Sequence, residues 1–447
     1  MNDGVTVIEI SPQAGGFTPY ATVSLHPRPG EAGATVRALL DGMPAGTDGG
    51  GVDPTALAHA ADLVRAGAIS VVLGRQSLAE SGEAAVDAAS ALLARKPDTR
   101  FLPALRRANV NGALDMGLAP GVLPGRVTLD AGRQWFADRW TTVPAAAGLD
   151  ARGILQAAAD GRIDVLVLLG ADPLADFPDH DLATRALAGA RTVIALDQFA
   201  NASVQQADIV LPAAGFAEVE GTATNIEGRV SRLDHKVTAP GTARPDWIIA
   251  AEIARRLGAD LGVESVAALQ AEIAANAPAY AGVTAALLES PAAADGLVVP
   301  LPRPAADPPP MAETQVTAVV GPPDLLAFEP TQATDLAPLD SYSLRLVATR
   351  KLYDRGTLVS HATSLAKLAP GTILRVNPYD FDRLGVAAGD RVRLRSSRAT
   401  LTAEISVDAG VPRGAASVVF NQPGLHVAAL IDAAERVTDV RVETGAV

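Results

Sequence analysis

Between Ala207 and Val230 the sequence runs ADIVLPAAGFAEVEGTATNIEGRV, placing Glu218, Glu220, Asn225, Glu227 and Arg229 among glycines just after an aliphatic run. Three carboxylates, an amide and a guanidinium on one loop can bind a polar ligand or close a domain interface. The residues alone put the interface slightly ahead. Asp197 ends a second aliphatic run, Thr192–Leu196. It could accept hydrogen bonds from a ribose or a guanine edge, or simply cap the next helix. Gly74 and Gly170 each end a strand-like run just before a loop and a helix. Ligands of open α/β sheets sit at such strand ends, where helix N-termini offer free N–H groups to phosphate. Neither turn has GxGxxG spacing and no GxxxxGK[ST] loop is present, so a standard NAD or P-loop site is excluded.

Other chemistries are excluded outright. The chain has no cysteine, which removes disulfides, thiolate metal sites, cysteine nucleophiles and iron–sulfur ligation together. Its six histidines, His26, His59, His180, His235, His361 and His426, show no metal-ligand spacing. Ser360-His361-Ala362-Thr363-Ser364 gathers hydroxyls around one imidazole, but no GxSxG nucleophile elbow accompanies it. Neither a catalytic residue nor a metal ligand is assigned. A net charge of −13 argues against a nucleic-acid partner and against adsorption to an anionic membrane. No secretory signal opens the chain, and no apolar run reaches the roughly 18 residues of a membrane span. The sequence therefore reads as soluble and cytoplasmic.

The elements that must position these residues follow from pattern. With 447 residues, 48% hydrophobic and 19% charged, the chain can build roughly three domains of about 150 residues each. Residues 1–52 hold one strand, Val5–Ile10, and one helix, Glu31–Leu40, with no sheet of their own. They read as the tail of a preceding α/β domain, and the strand is expected either to pack elsewhere or to be exposed and aggregation-prone. A Gly-rich loop, Asp41–Asp53, closes the segment. Residues 53–265 alternate strand and helix. Ile69–Leu73, Asp164–Leu169, Thr192–Leu196 and Ile209–Leu211 are the strands, which predicts a parallel sheet with helices on both faces. Residues 266–340 read as a Pro/Ala-rich linker, with eleven prolines between Pro291 and Pro338. Residues 341–447 carry the short strands Leu344–Ala348, Ile373–Val376, Arg391–Leu394, Leu401–Val407 and Ala416–Phe420 between turn glycines, and predict a barrel.

In order and spacing, Gly170-Ala-Asp-Pro173, Asp197, Ala207-Asp-Ile-Val-Leu-Pro212, Glu220-Gly-Thr and Asn225-x-Glu-Gly-Arg229 resemble the molybdopterin oxidoreductase superfamily. Asn377-Pro378…Leu384-Gly385-Val386…Gly389-Asp390-x-Val392 resembles its C-terminal dinucleotide-binding barrel, of the double-psi type. Arg28-Pro-Gly30 looks like the end of the α/β domain before it. Val347-Ala-Thr-Arg-Lys-Leu-Tyr353, with Ser360-His361, is similar to the C-terminal part of the G-type subunits of bacterial NADH:quinone oxidoreductase, respiratory complex I. The resemblance implies a Rossmann-like α/β domain followed by that barrel. It puts Gly170, Asp172, Asp197, Glu220, Asn225, Arg229 and Asn377 where relatives cradle a pterin dinucleotide. It further implies a scaffold in the peripheral arm of an NADH-quinone oxidoreductase, at the cytoplasmic face of the membrane. Its partners would be other arm subunits and a Cys-rich iron–sulfur portion. On this reading the chain itself holds no cofactor. The alternatives are half of a split molybdenum oxidoreductase binding molybdopterin guanine dinucleotide, and a free-standing nucleotide-binding module.

Overall fold

The computed structural model describes residues 4–44, 48–140, 142–302, 322–331 and 336–444. Its first segment does have a sheet. β1 (Ile8–Ile10) pairs in parallel with β2 (Val23–Leu25). The reading of a strand without a sheet of its own is thereby corrected: Val23–Leu25 supplies the partner strand. α1 (Ala32–Asp41) packs on α3 (Glu83–Arg95), fastened by Arg37–Asp87 at 2.8 Å and Arg95–Asp41 at 2.9 Å. α2 (Pro54–Ala66) starts where sequence says it should, because Pro54 presets the first turn and the Asp53 carboxylate accepts from Ala56 N. Leu25, Leu39, Val52, Leu57, Ala60 and Val64 close one core here.

β3 (Ser70–Leu73) and β4 (Arg100–Pro103) form a two-stranded parallel sheet joined through α3. α4 (Val110–Asp115), the hairpin β5 (Val122–Leu123) and β6 (Val127–Thr128), α5 (Leu129–Ala137) and α6 (Ala151–Ala159) follow. Then β7 (Val165–Leu169), the short α7 (Pro173–Asp176), α8 (His180–Gly189), β8 (Thr192–Asp197) and β9 (Ile209–Pro212) build a parallel sheet in the order β7-β8-β9. Leu166, Leu168, Val193 and Ala195 pack under α6 and α8 against Leu155 and Leu182. The opposite face is covered only in part among the described residues, with Val165, Val167 and Leu169 about half exposed and Leu196 buried, so the sheet is not flanked evenly by helices on both sides as expected.

β10 (Gly221–Thr224) and β11 (Arg229–Leu233) form an antiparallel hairpin. After α9 (Asp246–Arg256) the chain departs from the expected linker. α10 (Val266–Asn276), capped by Ser265, α11 (Ala285–Leu288) and β12 (Leu297–Val298) are ordered elements, and β12 joins the hairpin as a third strand. Ala and Leu are strong helix formers, and the proline density that suggested a linker begins only after this stretch. Much of the Pro-rich stretch itself, 303–321 and 332–335, lies outside the described residues.

The C-terminal region is a closed six-stranded barrel. β13 (Leu344–Thr349), β14 (Leu374–Val376), β15 (Arg391–Arg395), β16 (Thr400–Val407), β17 (Ala415–Val419) and β18 (Asp439–Glu443) close in the order β13-β17-β14-β16-β15-β18. α12 (Thr357–His361) and α13 (Pro378–Leu384) decorate it. In β15 the arginines face out while Val392 and Leu394 face the core, the alternation a closed barrel requires. β13 is buried on both faces. Its Arg345, 1% exposed, donates to the Pro29 and Ala337 carbonyls and to Glu31, and so bolts the barrel to the first segment. No helix among the described residues is long and apolar enough to cross a membrane.

Candidate functional site

The carboxyl ends of β4, β7 and β8 meet two loops of the barrel. Gly170 ends β7 at φ +56°, a left-handed conformation, and a side chain at this position would meet nothing within 4 Å. Asp172 is buried. Its Oδ1 accepts from Ser203 Oγ at 2.6 Å, and Ser203 Oγ in turn accepts from Leu174 N. Asp197 Oδ1 accepts from the backbone N–H groups of Gln198 and Phe199, and its Oδ2 from Asn201 Nδ2. Of the two roles open to Asp197, these bonds belong to capping the turn. Gly170, Asp172 and Asp197 thus stand together on adjacent strand ends.

The other sequence-selected residues lie elsewhere. Asn225 Oδ1 accepts from Glu227 N and Arg229 N, and Arg229 Nε donates to Glu227 at 2.6 Å, so these residues close the β10–β11 hairpin. Glu220 is exposed just before β10. Behind the hairpin is a buried network: Thr224 Oγ1 and Tyr280 OH are 2.7 Å apart, Tyr280 donates to Asp115, and Asp115 pairs with Arg126 at 2.7 Å. Burial, with Asp115 beside it, drives the Tyr280 phenol upward, so it stays a neutral donor. Asn377 caps α13 by accepting from Tyr379 N, and its Nδ2 donates to the Val411 carbonyl. It lines a separate cavity of about 440 Å³ with His26, Gly51, Asp53, Gly410 and Arg413.

Around Asp176, on the short helix that follows Gly170, stand cations that sequence reading missed. Arg350, from the barrel, pairs with Asp176 at 2.8 Å and with Asp354 at 3.3 Å. Arg107, on the loop after β4 and at φ +80°, pairs with the other oxygen of Asp176 at 2.8 Å. Arg106 is drawn below its ordinary value by burial and by the adjacent Arg350 guanidinium. Around Asp176 and Asp354 three guanidiniums meet two carboxylates, and guanidinium forks of this kind are the donors a pyrophosphate is bound by. In the same barrel loops the Asn421 side-chain amide is buried with no hydrogen-bond partner, and the Asn421 backbone carbonyl accepts from Arg355 N.

Further contacts hold the barrel over the strand ends. The His361 ring stacks on Phe199 at 4.1 Å, and its Nδ1 lies 2.8 Å from the Thr357 carbonyl. His180 and His426 meet edge-on at 4.1 Å. Burial, with His180 and Arg355 near, lowers His426. Arg398 bridges Asp179, itself 1% exposed, to Asp432 at 2.9 Å. One hint of this junction was legible in residue order, the Val347–Tyr353 stretch, and none of the roles of Arg106, Arg107 or Asp176.

Family models match this architecture in two places. Residues 49–256 match molybdopterin oxidoreductase, and residues 344–442 match the molybdopterin dinucleotide binding domain. The chain belongs to the molybdopterin oxidoreductase family. It is 31% identical to the NADPH-Fe(3+) oxidoreductase subunit alpha of Geobacter sulfurreducens over 88% of this chain and 42% of that protein. It is 31% identical to the F420-dependent formate dehydrogenase 2 subunit alpha of Methanococcus maripaludis, over 73% of this chain and 48% of that one. The second G-type subunit of the NADH-quinone oxidoreductase of Rhizobium meliloti is 32% identical over 76% of this chain and 37% of that protein. The chain therefore spans less than half the length of these relatives. Acetylene hydratase from Pelobacter acetylenicus shares the fold, with TM-score 0.59 at 15% identity over 99% of this chain and 74% of that one.

These matches correct the expectation of a chain without any cofactor. Both matched regions are molybdopterin-type cofactor-binding folds. The missing cysteines remove iron–sulfur ligation, whereas a dinucleotide is held by backbone N–H groups, amides and cations, which the site has. The donor set fits the dinucleotide part. It does not supply a metal ligand set, since no group of three His, Cys, Asp or Glu among the described residues could hold an ion.

Proposed function

We propose that this chain is the dinucleotide-cradling half of a multi-subunit molybdopterin-type oxidoreductase, whose metal ligand and electron-transfer centres lie on residues outside this sequence. The supporting observation is the junction of strand ends and barrel, where Arg107 and Arg350 meet at Asp176 on the short helix that follows Gly170, with Arg106 beside Arg350. In this role the arginines bind the pyrophosphate, the open Gly170 turn lets backbone approach it, and the Asn421 amide donates to a polar edge. Barrel and sheet together exclude water from it. The pterin group, when bound with its metal, supplies the electron-accepting chemistry. The domain reading that goes with this is an α/β half at 53–265 and a barrel at 341–447, each supplying one wall.

A second reading is favoured by the absence of cysteine and by the relatives from NADH-quinone oxidoreductases. Here the same unit serves mainly as a structural part of such an enzyme's peripheral arm, attached at the cytoplasmic face of the membrane through its complex. One experiment separates the two. The protein is purified from cells that make molybdopterin guanine dinucleotide, denatured, and assayed for pterin fluorescence and guanine nucleotide. Near-stoichiometric release is expected, and Arg350→Ala should lower it at least about tenfold, the loss expected for one charge-assisted contact. Release of neither pterin nor nucleotide would sink the cradle reading and leave the structural one.

A further inference from the structure

The barrel is held on two sides by contacts of different kinds. On one side the chain between β3 and α3 is woven into it. Leu78 N donates to the Ala348 carbonyl at 2.8 Å, Ser81 N to the Arg436 carbonyl at 2.7 Å, and Thr438 N to the Ala79 carbonyl at 3.0 Å. Ala79 belongs to the apolar core of the barrel, and Leu78 packs against it. Arg345, 1% exposed, adds its donors to the Pro29 and Ala337 carbonyls. Parting this side would expose apolar core and strip buried polar groups of their partners at once.

On the side toward the β7–β9 sheet, every hydrogen bond among the described residues involves a side chain. No backbone–backbone bond joins described residues of 151–212 to those of the barrel, and the apolar clusters of sheet and barrel share no residue. Arg350 pairs with Asp176. Arg398, in the β15–β16 turn, lies 3.3 Å from Asp179 and 3.5 Å from Asp181. Asp179, which caps α8, also accepts from Ala433 N at 3.1 Å. Rings meet at His180–His426 and at Phe199–His361. The Arg398 side chain is 28% exposed and that of Asp181 52%, so water and salt ions reach this side. Polar interfaces of this kind leave domains able to move against each other, and their ion pairs are screened by salt.

We infer that the barrel and residues 77–81 form one jaw that opens away from the α8 end of the β7–β9 sheet, with Arg398 and Asp179 as its latch. Opening separates Arg350 and Asn421, on the jaw, from Gly170 and Asp176, on the sheet side. A ligand of dinucleotide size thereby gains a way into the junction without unfolding either half. That use of the motion rests on the cradle reading, and the motion itself does not.

The chain has no cysteine, so introduced cysteines are unique labelling sites. Ala188→Cys, on the exposed side of α8, together with Ser397→Cys, next to Arg398, spans the jaw. Ala58→Cys, on the exposed side of α2, together with Ser397→Cys spans the woven side and is the control. Spin labels on each pair, in the full chain, report distance distributions by pulsed dipolar spectroscopy. In low salt the jaw pair should give one dominant distance. Arg398→Ala should raise a longer-distance population at least about tenfold, the worth of one charged hydrogen bond. About 1 M salt, where the Debye length is about 3 Å, should do the same without any change at Arg398. The control pair should keep its distance throughout. A jaw pair unchanged in high salt and in Arg398→Ala overturns the inference, and so does lengthening of both pairs together. The salt arm decides alone where Arg398→Ala fails to fold. A jaw that opens in a protein releasing neither pterin nor nucleotide sinks the cradle reading only. A jaw pair that never lengthens, in a protein that releases both, sinks this inference only.

Discussion

The barrel and the β7–β9 sheet are made of similar short aliphatic strands, and they solve the problem of burial in opposite ways. In the barrel every strand has two neighbours, and Leu346, Leu374, Leu394 and Ile405 meet in one core with no exposed surface. In the sheet Leu166, Leu168, Val193 and Ala195 are packed under α6 and α8, while Val165, Val167 and Leu169 of β7 and Ile209 of β9 stay about half exposed around the buried Leu196. The barrel therefore closes on itself, whereas the sheet ends in a half-exposed edge strand. Stability should be concentrated in the first and interaction in the second.

The largest effect should come from truncating the barrel core. Leu346→Ala removes a side chain with 0% exposure and should cost about 3 kcal/mol. Val167→Ala on the open face should cost well under about 1 kcal/mol, because its side chain is already half in water. Urea denaturation of both variants gives the comparison. Equal losses would mean that the open face is packed in solution and would break the contrast between the two regions.

Next in size is the bolt between barrel and first segment. Arg345→Ala withdraws the donors to the Pro29 and Ala337 carbonyls and one partner of Glu31, which still pairs with Arg28 at 2.8 Å. Loss of about 3 kcal/mol is expected, since removing one member of a buried charged cluster leaves the others unsatisfied. Hydrogen exchange should show residues 8–41 opening before the barrel does. Unchanged protection of that segment would show that β1 and β2 are held by their own core alone.

The smallest effect concerns acidity at the junction of the two regions. His426 titrates below its ordinary value of 6.5 through burial, His180 and Arg355. A histidine with a lowered folded value binds fewer protons folded than unfolded. Its contribution is therefore fully present above pH 6.5 and is lost as pH falls through the lowered value. His426 is partly exposed, so a modest decline in melting temperature is expected below pH 6.5, and His426→Gln should flatten it. An identical slope in the variant would assign the decline to other groups.

Much of this division was legible in residue order. Val392 and Leu394 alternating with arginines announced a barrel strand, and Gly170-Ala-Asp-Pro173 after an aliphatic run announced a strand end. What escaped reading depended on distant partners. Arg345 is buried because Pro29 and Glu31, 316 and 314 residues away, surround it, and nothing local signals that. β18 alternates Val440 and Val442 with charged residues just as β15 does, so its pattern was equally legible and was passed over. Arg106, Arg107 and Arg350 look like ordinary surface charges until the loops carrying them converge. The uneven cover of the sheet escaped for a different reason: its strands are apolar on both faces, which says that both faces want cover but not how much of each receives it.

The contacts that join the first segment to the barrel also set a timetable. Ala14 N donates to the Gly410 carbonyl, and Ser417 Oγ bonds to Gln13, 404 residues earlier. At about 5–20 residues per second, a ribosome needs roughly 20–80 s to make that much chain. During that interval β1 and β2 exist without the surface they finally rest on, and β13 waits for both β17 and β18 before the barrel can shut. The aliphatic strands made early thus lack their final cover for much of translation, when a chaperone has its best opportunity to reach them.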